Sequence, residues 1–374
     1  MRAIALAFLG FLGLATVAPR LHAETSSWST KTQSGPKEAA KPKPKARPMA
    51  KPQPKGPKPL ATSPTADPLS KFTKSEPAPL KGTSIAPATG EDAAYIAFEQ
   101  GQYLTALDLA ERAAGKGDPQ AHTLVGRIYA EGLGVAKDEV VAARWYARGA
   151  ELGDTEAAFA LGLQLAEGRG VGKDRAAAAN MFEKAAAKGH AYANYNLGLL
   201  FLSGDGKPEN PRRAALHIAY AAEQGVIAAQ YDLAVLYQSG HGVEPNALEA
   251  QRWMRRAAEQ GLLEAEYDYA LLLLRGFGLN SEVPKAVDYL RSAAEKGFAG
   301  AQNRLANLLA EQASQGNADS LKEAAKWRIL AREQGLKDDA LDATIAKLSR
   351  GDKQAAEVAA QEWKDRTSIG MLAQ

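Results

Sequence analysis

The chain repeats with a period of 36 residues, and this period limits its possible folds more than any other feature of the sequence. One register holds alanine and another holds glycine in six successive units: Ala121, Ala157, Ala193, Ala229, Ala265 and Ala301, and Gly117, Gly153, Gly189, Gly225, Gly261 and Gly297. A fixed period of this length is typical of a solenoid, in which each unit buries its apolar face only against its neighbours. The sequence therefore predicts a stacked array of similar units.

Each unit is predicted to contain two helices. With the aligned alanine as position one, apolar residues return at positions five, eight and nine, which places them on one stripe of a helix. Position six is always small, so we expect the backbone of a paired helix to pass close to it: Gly126, Gly162, Gly198, Ala234, Ala270 and Ala306.

The ends of these helices are also predicted by the sequence. The first helix of each unit should end at a glycine pair, as in Gly132 and Gly134, because glycine adopts the left-handed conformation that closes a helix. Four residues after the pair stands a suitable N-cap for the second helix: Asp138, Asp174, Asn210 and Asn246.

This pattern resembles the Sel1-like repeat, a 36-residue relative of the tetratricopeptide repeat. The motif A-x-x-x-L-G-x-x-Y-x-x-G-x-G-V-x-x-D is written AHTLVGRIYAEGLGVAKD from Ala121 and is followed by AARWYARGAELG. The resemblance covers residues from about 119 to 297. A tetratricopeptide-like unit precedes it from Tyr95 to Gly117, and a degenerate unit with Gln312 in place of the loop glycine follows it.

The resemblance implies an all-α fold, a right-handed α-solenoid of roughly seven Sel1-like or TPR-like helix pairs. We expect this solenoid to occupy residues 89–350 and a C-terminal capping helix and tail to occupy residues 351–374. Atypical end units agree with this expectation, because the ends of a solenoid need capping.

Residues 1–23 have the features of a secretory signal peptide. Arg2 is followed by an uncharged run from Ala3 to Pro19, and the small residue Ala23 precedes the predicted cleavage site. The alternative is a retained membrane anchor, because the run is only just shorter than the roughly 18 residues that indicate a spanning helix. We expect cleavage after Ala23, which predicts a periplasmic or secreted protein without a stable membrane span.

Residues 24–88 change composition abruptly and are expected to form a disordered, proline-rich linker. They hold 13 of the 19 prolines and 12 Lys and Arg against 4 Asp and Glu, a net charge of +8. With Arg2 and Arg20 also counted, residues 89–374 carry −7 of the total of +3. The basic segment either binds an anionic envelope polymer or serves as a solubilising linker without a partner.

No catalytic or metal-binding motif occurs in the sequence. There is no GxxxxGK[ST] loop, no His-x-x-x-His spacing and no cysteine. The sequence therefore predicts a protein that is not an enzyme and that uses neither metal nor cofactor. Nucleic acid is not an expected partner, because the helical part lacks a basic stripe.

Candidate binding residues lie on the first helix of each unit, which lines the concave wall in the related tetratricopeptide array. The resemblance places positions three and seven in this groove: Phe159, Tyr195, Tyr231, Tyr267 and Asn303 at position three, and Arg127 and Asn307 at position seven. Aromatic and aliphatic side chains in a groove suit an extended peptide or a helix. In the alternative interpretation, which the sequence favours, the rings only brace adjacent units.

The sequence thus predicts an exported scaffold that binds a protein or peptide partner in a groove. Related proteins include periplasmic regulators of membrane sensor kinases, so the resemblance implies control of an envelope signalling system. The second hypothesis is a cell-envelope structural protein whose basic segment binds peptidoglycan or lipopolysaccharide. The third, an enzyme that processes cell-wall precursors or lactams, requires a buried nucleophile or acid pair that the sequence does not identify.

Overall fold

The structure is a computed structural model, and it describes residues 93–276, 282–315, 317 and 319–372, with side chains described as far as residue 367. In these ranges the chain forms sixteen α-helices and no strand. The predicted signal peptide (1–23) and linker (24–88) lie outside the described residues. None of the described helices combines the length and the apolar character that crossing a bilayer requires.

The first fourteen helices form seven consecutive pairs, and two more helices follow them. The pairs are α1 (Ala93–Glu99) with α2 (Tyr103–Ala114), α3 (Pro119–Glu131) with α4 (Glu139–Glu151), α5 (Thr155–Glu167) with α6 (Arg175–Ala186), α7 (Ala191–Ser203) with α8 (Pro211–Glu223), α9 (Ile227–Ser239) with α10 (Ala247–Glu259), α11 (Leu263–Arg275) with α12 (Val283–Glu295), and α13 (Ala299–Ser314) with α14 (Ser320–Glu333). The last two are α15 (Asp339–Ile345) and α16 (Arg350–Leu372). Each second helix packs on its partner and, from α2 to α12, on the first helix of the next pair, which confirms the predicted all-α solenoid.

The helix ends also follow the prediction. Five first helices end at a left-handed glycine: Gly132, Gly168, Gly204, Gly240 and Gly276. The carboxylate of Asp138 accepts hydrogen bonds from the backbone N–H groups of Val140 and Val141, both at 2.9 Å, and the other three predicted N-caps also accept backbone bonds. A side-chain cap of this kind contributes about 1 kcal/mol. Where Gln312 replaces the glycine, α13 continues to Ser314.

The second glycine of three loops has a role that the repeat pattern did not predict. Gly170 has φ +69°, and a Cβ atom there would overlap the carbonyl oxygen of Glu139 in the first turn of α4. A Cβ atom at Gly206 or Gly242 would likewise overlap a carbonyl oxygen in the first turn of α6 or α8. Each of these loops therefore docks on the second helix of the preceding unit, and the contact leaves no room for a side chain.

The small residue at position six faces a different group from the one expected. A Cβ atom at Gly126 would lie 2.7 Å from the ring of Tyr146, and one at Gly162 would lie 2.6 Å from the ring of Phe182. At Gly198 the neighbours are the Ile218 side chain at 2.6 Å and the carbonyl oxygen of Ala214 at 3.2 Å. The expectation of a close backbone was therefore wrong at the first two sites, where a large ring of the paired helix fills the space.

The last two helices close the C-terminal end of the array. The guanidinium of Arg328 in α14 is 2 % exposed and donates to both carboxylate oxygens of Asp342 in α15, at 2.8 and 2.7 Å. Trp363 of α16 packs edge-on against Trp327 of α14, with 6.3 Å between ring centroids, and its Nε1–H donates to Glu295 at 2.9 Å. These contacts cover the apolar side of α14 that a further repeat would otherwise cover.

Candidate functional site

The candidate site is the surface that we call the first-helix face, formed by positions three, four and seven of α3, α5, α7, α9, α11 and α13. Most of its side chains are half-buried. All seven predicted site residues belong to it: Arg127, Phe159, Tyr195, Tyr231, Tyr267, Asn303 and Asn307.

Two tyrosines of this face are bonded to the next unit along the chain. The hydroxyl of Tyr195 donates to Asp232 at 2.9 Å, and that of Tyr231 donates to Asp268 at 2.8 Å. Burial raises the pKa of both hydroxyls, and the charge of the accepting aspartate raises it further. Both phenols therefore stay protonated and serve as donors that fix one first helix to the next.

Two other rings of position three pack against the residue that precedes the next first helix. The ring of Phe159 stacks on the imidazole of His190, with 4.4 Å between centroids, and His190 also caps α7 by accepting the N–H of Ala193. The ring of Tyr267 lies 5.3 Å from that of Phe298, which occupies the N-cap position of α13.

The three polar residues of the prediction lie at the ends of the face. Arg127 places its guanidinium 4.8 Å from the ring centroid of Phe98 in α1, and its Nε donates to Glu131 at 2.8 Å. The side-chain amides of Asn303 and Asn307 both donate to Asp338 at the start of α15, at 3.0 and 2.8 Å.

The structure thus places all seven side chains at junctions between neighbouring units and does not bring them to one point. Tyr231, which is only 7 % exposed, offers almost no surface to a partner. These contacts agree with the bracing alternative, and binding of a partner by these side chains stays a prediction. Position seven carries an aliphatic row in which Leu199, Val235 and Leu271 are half-buried, and none of these three has a polar atom in its side chain to bond to a neighbouring unit.

A row of buried polar residues at position two was not among the predicted site residues. Gln230 donates to the carbonyl oxygen of Ala222 near the end of α8 at 3.2 Å and accepts from Gln260 at 2.6 Å. Gln302 makes the same two kinds of bond, to Ala294 and from Gln334. Each of these carbonyls lies at a helix end and also accepts a backbone N–H, from Gly225 or Gly297, so the glutamine is a second donor to it. The signal in the sequence is a polar residue in one register: His122, Asn194, Gln230, Glu266 and Gln302.

The residues at position four were also not among the predicted site residues, although they contribute charges to the face. Position four holds Asp232 and Asp268, and then Arg304 in the last unit. The Nε of Arg304 is buried and has no hydrogen-bond partner in the described part of the chain. The signal in the sequence is the spacing of 37 residues between each tyrosine and its aspartate acceptor.

The face offers hydrogen bonding, apolar contact and the charges of Arg127, Arg304 and the two aspartates at position four. Across the described ranges, no three or more His, Asp or Glu side chains are grouped so that they could hold a metal ion. These groups are the elements of a recognition surface.

Five consecutive segments of the chain match the Sel1 repeat, at residues 119–154, 155–190, 191–226, 227–262 and 263–298. Residues 119–298 belong to the Sel1 repeat family. Sel1 repeats generally mediate protein–protein interaction, and proteins of the family are typically non-enzymatic scaffolds.

Two solved structures show the same fold. A protective antigen present in uropathogenic Escherichia coli strains, with an SLR fold, is 27% identical with a TM-score of 0.61; the match covers 74% of this chain and 61% of the antigen. A Sel1 repeat protein from Oxalobacter formigenes is 26% identical with a TM-score of 0.56, over 66% of this chain and 97% of that protein. This chain thus spans less than two thirds of the antigen's length. None of the curated proteins compared with it matches.

Proposed function

We propose that this Sel1 repeat protein is an exported, non-enzymatic scaffold that binds a protein or peptide partner on its first-helix face. The observation that carries the proposal is the half-buried aliphatic row of Leu199, Val235 and Leu271 between braced units. Because the Tyr195–Asp232 and Tyr231–Asp268 bonds already fix the first helices to one another, a partner meets a preorganised surface. Binding to such a surface loses little conformational entropy.

The proposed assignment of roles differs between positions. The rings at position three hold the array together, and the side chains at position seven contact the partner. A row with one aliphatic side chain per unit suits an extended or helical segment with regularly spaced apolar residues.

Export and control of an envelope signalling system complete the proposal. The uncharged run from Ala3 to Pro19 and the small residue Ala23 support cleavage before Glu24. The resemblance to periplasmic regulators of sensor kinases supports a membrane-bound or periplasmic partner. Mass spectrometry of the mature protein should therefore find Glu24 at its N-terminus, and a chain that keeps Arg2 in the membrane fraction would contradict export.

Photocrosslinking in intact cells tests the binding surface. A photoreactive residue in place of Val235 should trap a partner protein, whereas the same residue in place of Leu216, which is 72 % exposed on the second helix α8, should not. Equal crosslinking from both positions, or crosslinking from Leu216 alone, would refute the assignment of the first-helix face.

The second candidate function is binding to anionic envelope polymers, and the charge of +8 on residues 24–88 favours it. Salt separates the two candidates, because ionic strength screens attraction between charges and has little effect on apolar contact. Capture through Val235 should persist at high salt, whereas retention on peptidoglycan or lipopolysaccharide should be lost.

A further inference from the structure

We propose that Arg304 and the hydroxyl of Tyr267 bind the C-terminal carboxylate of the peptide segment that occupies the first-helix face. This inference rests on the proposed function and adds the chemistry by which one end of the partner is recognised.

The first step is the register of the repeat. In the two preceding junctions, the residue 37 positions after the tyrosine is an aspartate, whose carboxylate accepts the tyrosine hydroxyl at 2.9 and 2.8 Å. At the third junction the tyrosine is Tyr267 and the residue 37 positions later is Arg304. Arginine has no acceptor atom, so the hydroxyl of Tyr267 loses the partner that its counterparts have.

The second step is the state of these two side chains. Within the described ranges, the Tyr267 hydroxyl lacks the aspartate bond that Tyr195 and Tyr231 make, and the Nε of Arg304 is buried without a hydrogen-bond partner. Burial and then the charge of Asp268 raise the pKa of the Tyr267 hydroxyl, while the charges of Arg304 and Arg275 oppose this rise. The hydroxyl is therefore close to positive charge as well as to Asp268.

The third step is the chemistry of the group that could bind both Arg304 and the hydroxyl of Tyr267. A guanidinium and a phenol supply several donors and, in the case of the guanidinium, a full positive charge. A carboxylate supplies two acceptor oxygens and the opposite charge, and arginine binds it through paired hydrogen bonds. Arg304 thus has the register position that Asp232 and Asp268 have in the two preceding units, and a carboxylate from the partner would restore the tyrosine–carboxylate bond.

The fourth step explains why this carboxylate belongs to a chain terminus. The aliphatic row of position seven runs through Leu199, Val235 and Leu271 and is followed by Asn307. Asn303 and Asn307 are already bonded to Asp338 at the start of α15, so α15 occupies the next place in the row. A peptide that follows the row toward the C-terminal end therefore finishes beside Arg304.

The test uses the full-length protein and three synthetic peptides. The first is acetyl-Ala-Leu-Ala-Leu-Ala-Leu with a free carboxylate, the second is its C-terminal amide, and the third is an amide with glutamate in place of the last leucine. Binding is followed through the arginine Nε–H signals in nitrogen-15 spectra, and the signal of Arg304 is identified by its loss in Arg304→Gln.

The free-acid peptide should shift the Arg304 signal saturably and bind at least about tenfold more tightly than either amide, since a hydrogen bond to a charged group contributes that much. Arg304→Gln should abolish this preference and Tyr267→Phe should reduce it. The control Arg255→Gln removes an exposed arginine of α10, outside the first-helix face, and should leave the preference intact.

Four outcomes would overturn the inference: equal binding of acid and amide, an undiminished preference in Arg304→Gln, binding of the glutamate peptide as tight as that of the free acid, or no binding of any peptide. Failure of the proposed function is recognised separately. Crosslinking from Val235 without a carboxylate preference refutes only the inference, and a carboxylate preference without crosslinking refutes only the proposed function.

Discussion

At the scale of the residue, Tyr231 decides between bracing and binding. Its ring is buried and its hydroxyl is bonded to Asp268, so Tyr231→Ala should lower the free energy of unfolding by about 3–5 kcal/mol, similar to the loss for the buried control Leu233→Ala. Val235→Ala should cost much less stability and weaken partner capture. Urea unfolding and photocrosslinking of the three variants measure both effects. A Tyr231→Ala protein of normal stability that no longer captures the partner would show that the ring binds.

The hydrogen bonds from Tyr195 and Tyr231 to aspartate predict that the free energy of unfolding decreases at alkaline pH. The pKa of Tyr195 and that of Tyr231 are raised above the ordinary value of 10.0 in the folded state. Their stabilisation is complete below pH 10 and falls as the pH rises further, by up to about 1.4 kcal/mol per pH unit for each tyrosine. Urea unfolding between pH 9 and 11 should show a smaller loss in the double variant Tyr195→Phe, Tyr231→Phe than in the natural protein. Equal losses would mean that these phenols ionise freely.

The residue scale also shows where the sequence was insufficient. The aromatic residues at position three could be identified because they repeat. Their acceptors, Asp232 and Asp268, are at position four, where only these two units have an aspartate, so the pattern does not mark them. Gln230 and Gln302 are polar and yet buried, because they pair with helix ends of the neighbouring unit. Only the packing between units reveals such partners.

At the scale of the element, two glycines of the loop between α5 and α6 differ in how closely the fold packs against them. Gly170 has a positive φ and lies against the backbone of Glu139, whereas a methyl group added at Gly172 would meet no atom within 4 Å. Gly170→Ala should therefore cost about 2 kcal/mol or more. Gly172→Ala should be neutral or stabilising by up to about 1 kcal/mol. Thermal unfolding of the two variants compares them directly, and equal midpoints would show that the loop does not dock on α4.

Helix boundaries were predictable because their signals are local. A capping aspartate such as Asp138 and a terminal glycine such as Gly132 act within a few residues of their own position. The neighbour of position six was not predictable in the same way. A small residue such as Gly126 indicates that another group packs closely against the helix. Whether that group is a backbone or the ring of Tyr146 depends on the contact between the two helices.

At the scale of the whole molecule, the repeat predicted the solenoid because every unit contacts only its neighbours, so one pattern describes all the junctions. The C-terminal end follows no such pattern. The glycine spacing is already 38 residues from Gly297 to Gly335, and the links from Arg328 to Asp342 and from Trp363 to Glu295 have no counterpart in the repeat. Their partners are specific to this end, and a periodic pattern carries no information about them.

The same architecture predicts that a destabilising substitution at one end of the array affects only the units near that end. Trp363 is 9 % exposed and covers Trp327, so Trp363→Ala should remove much of the contribution of α16, about 3 kcal/mol if the site does not collapse. Because the stability of a solenoid is a sum over units and their junctions, amide hydrogen exchange should accelerate in α13, α14 and α16 and remain unchanged in α3 to α6. Val358→Ala, a change at a 51 % exposed position of the same helix, should leave exchange unaltered throughout. Uniform acceleration in all units would show instead that the array unfolds as one cooperative body and that α16 stabilises it as a whole.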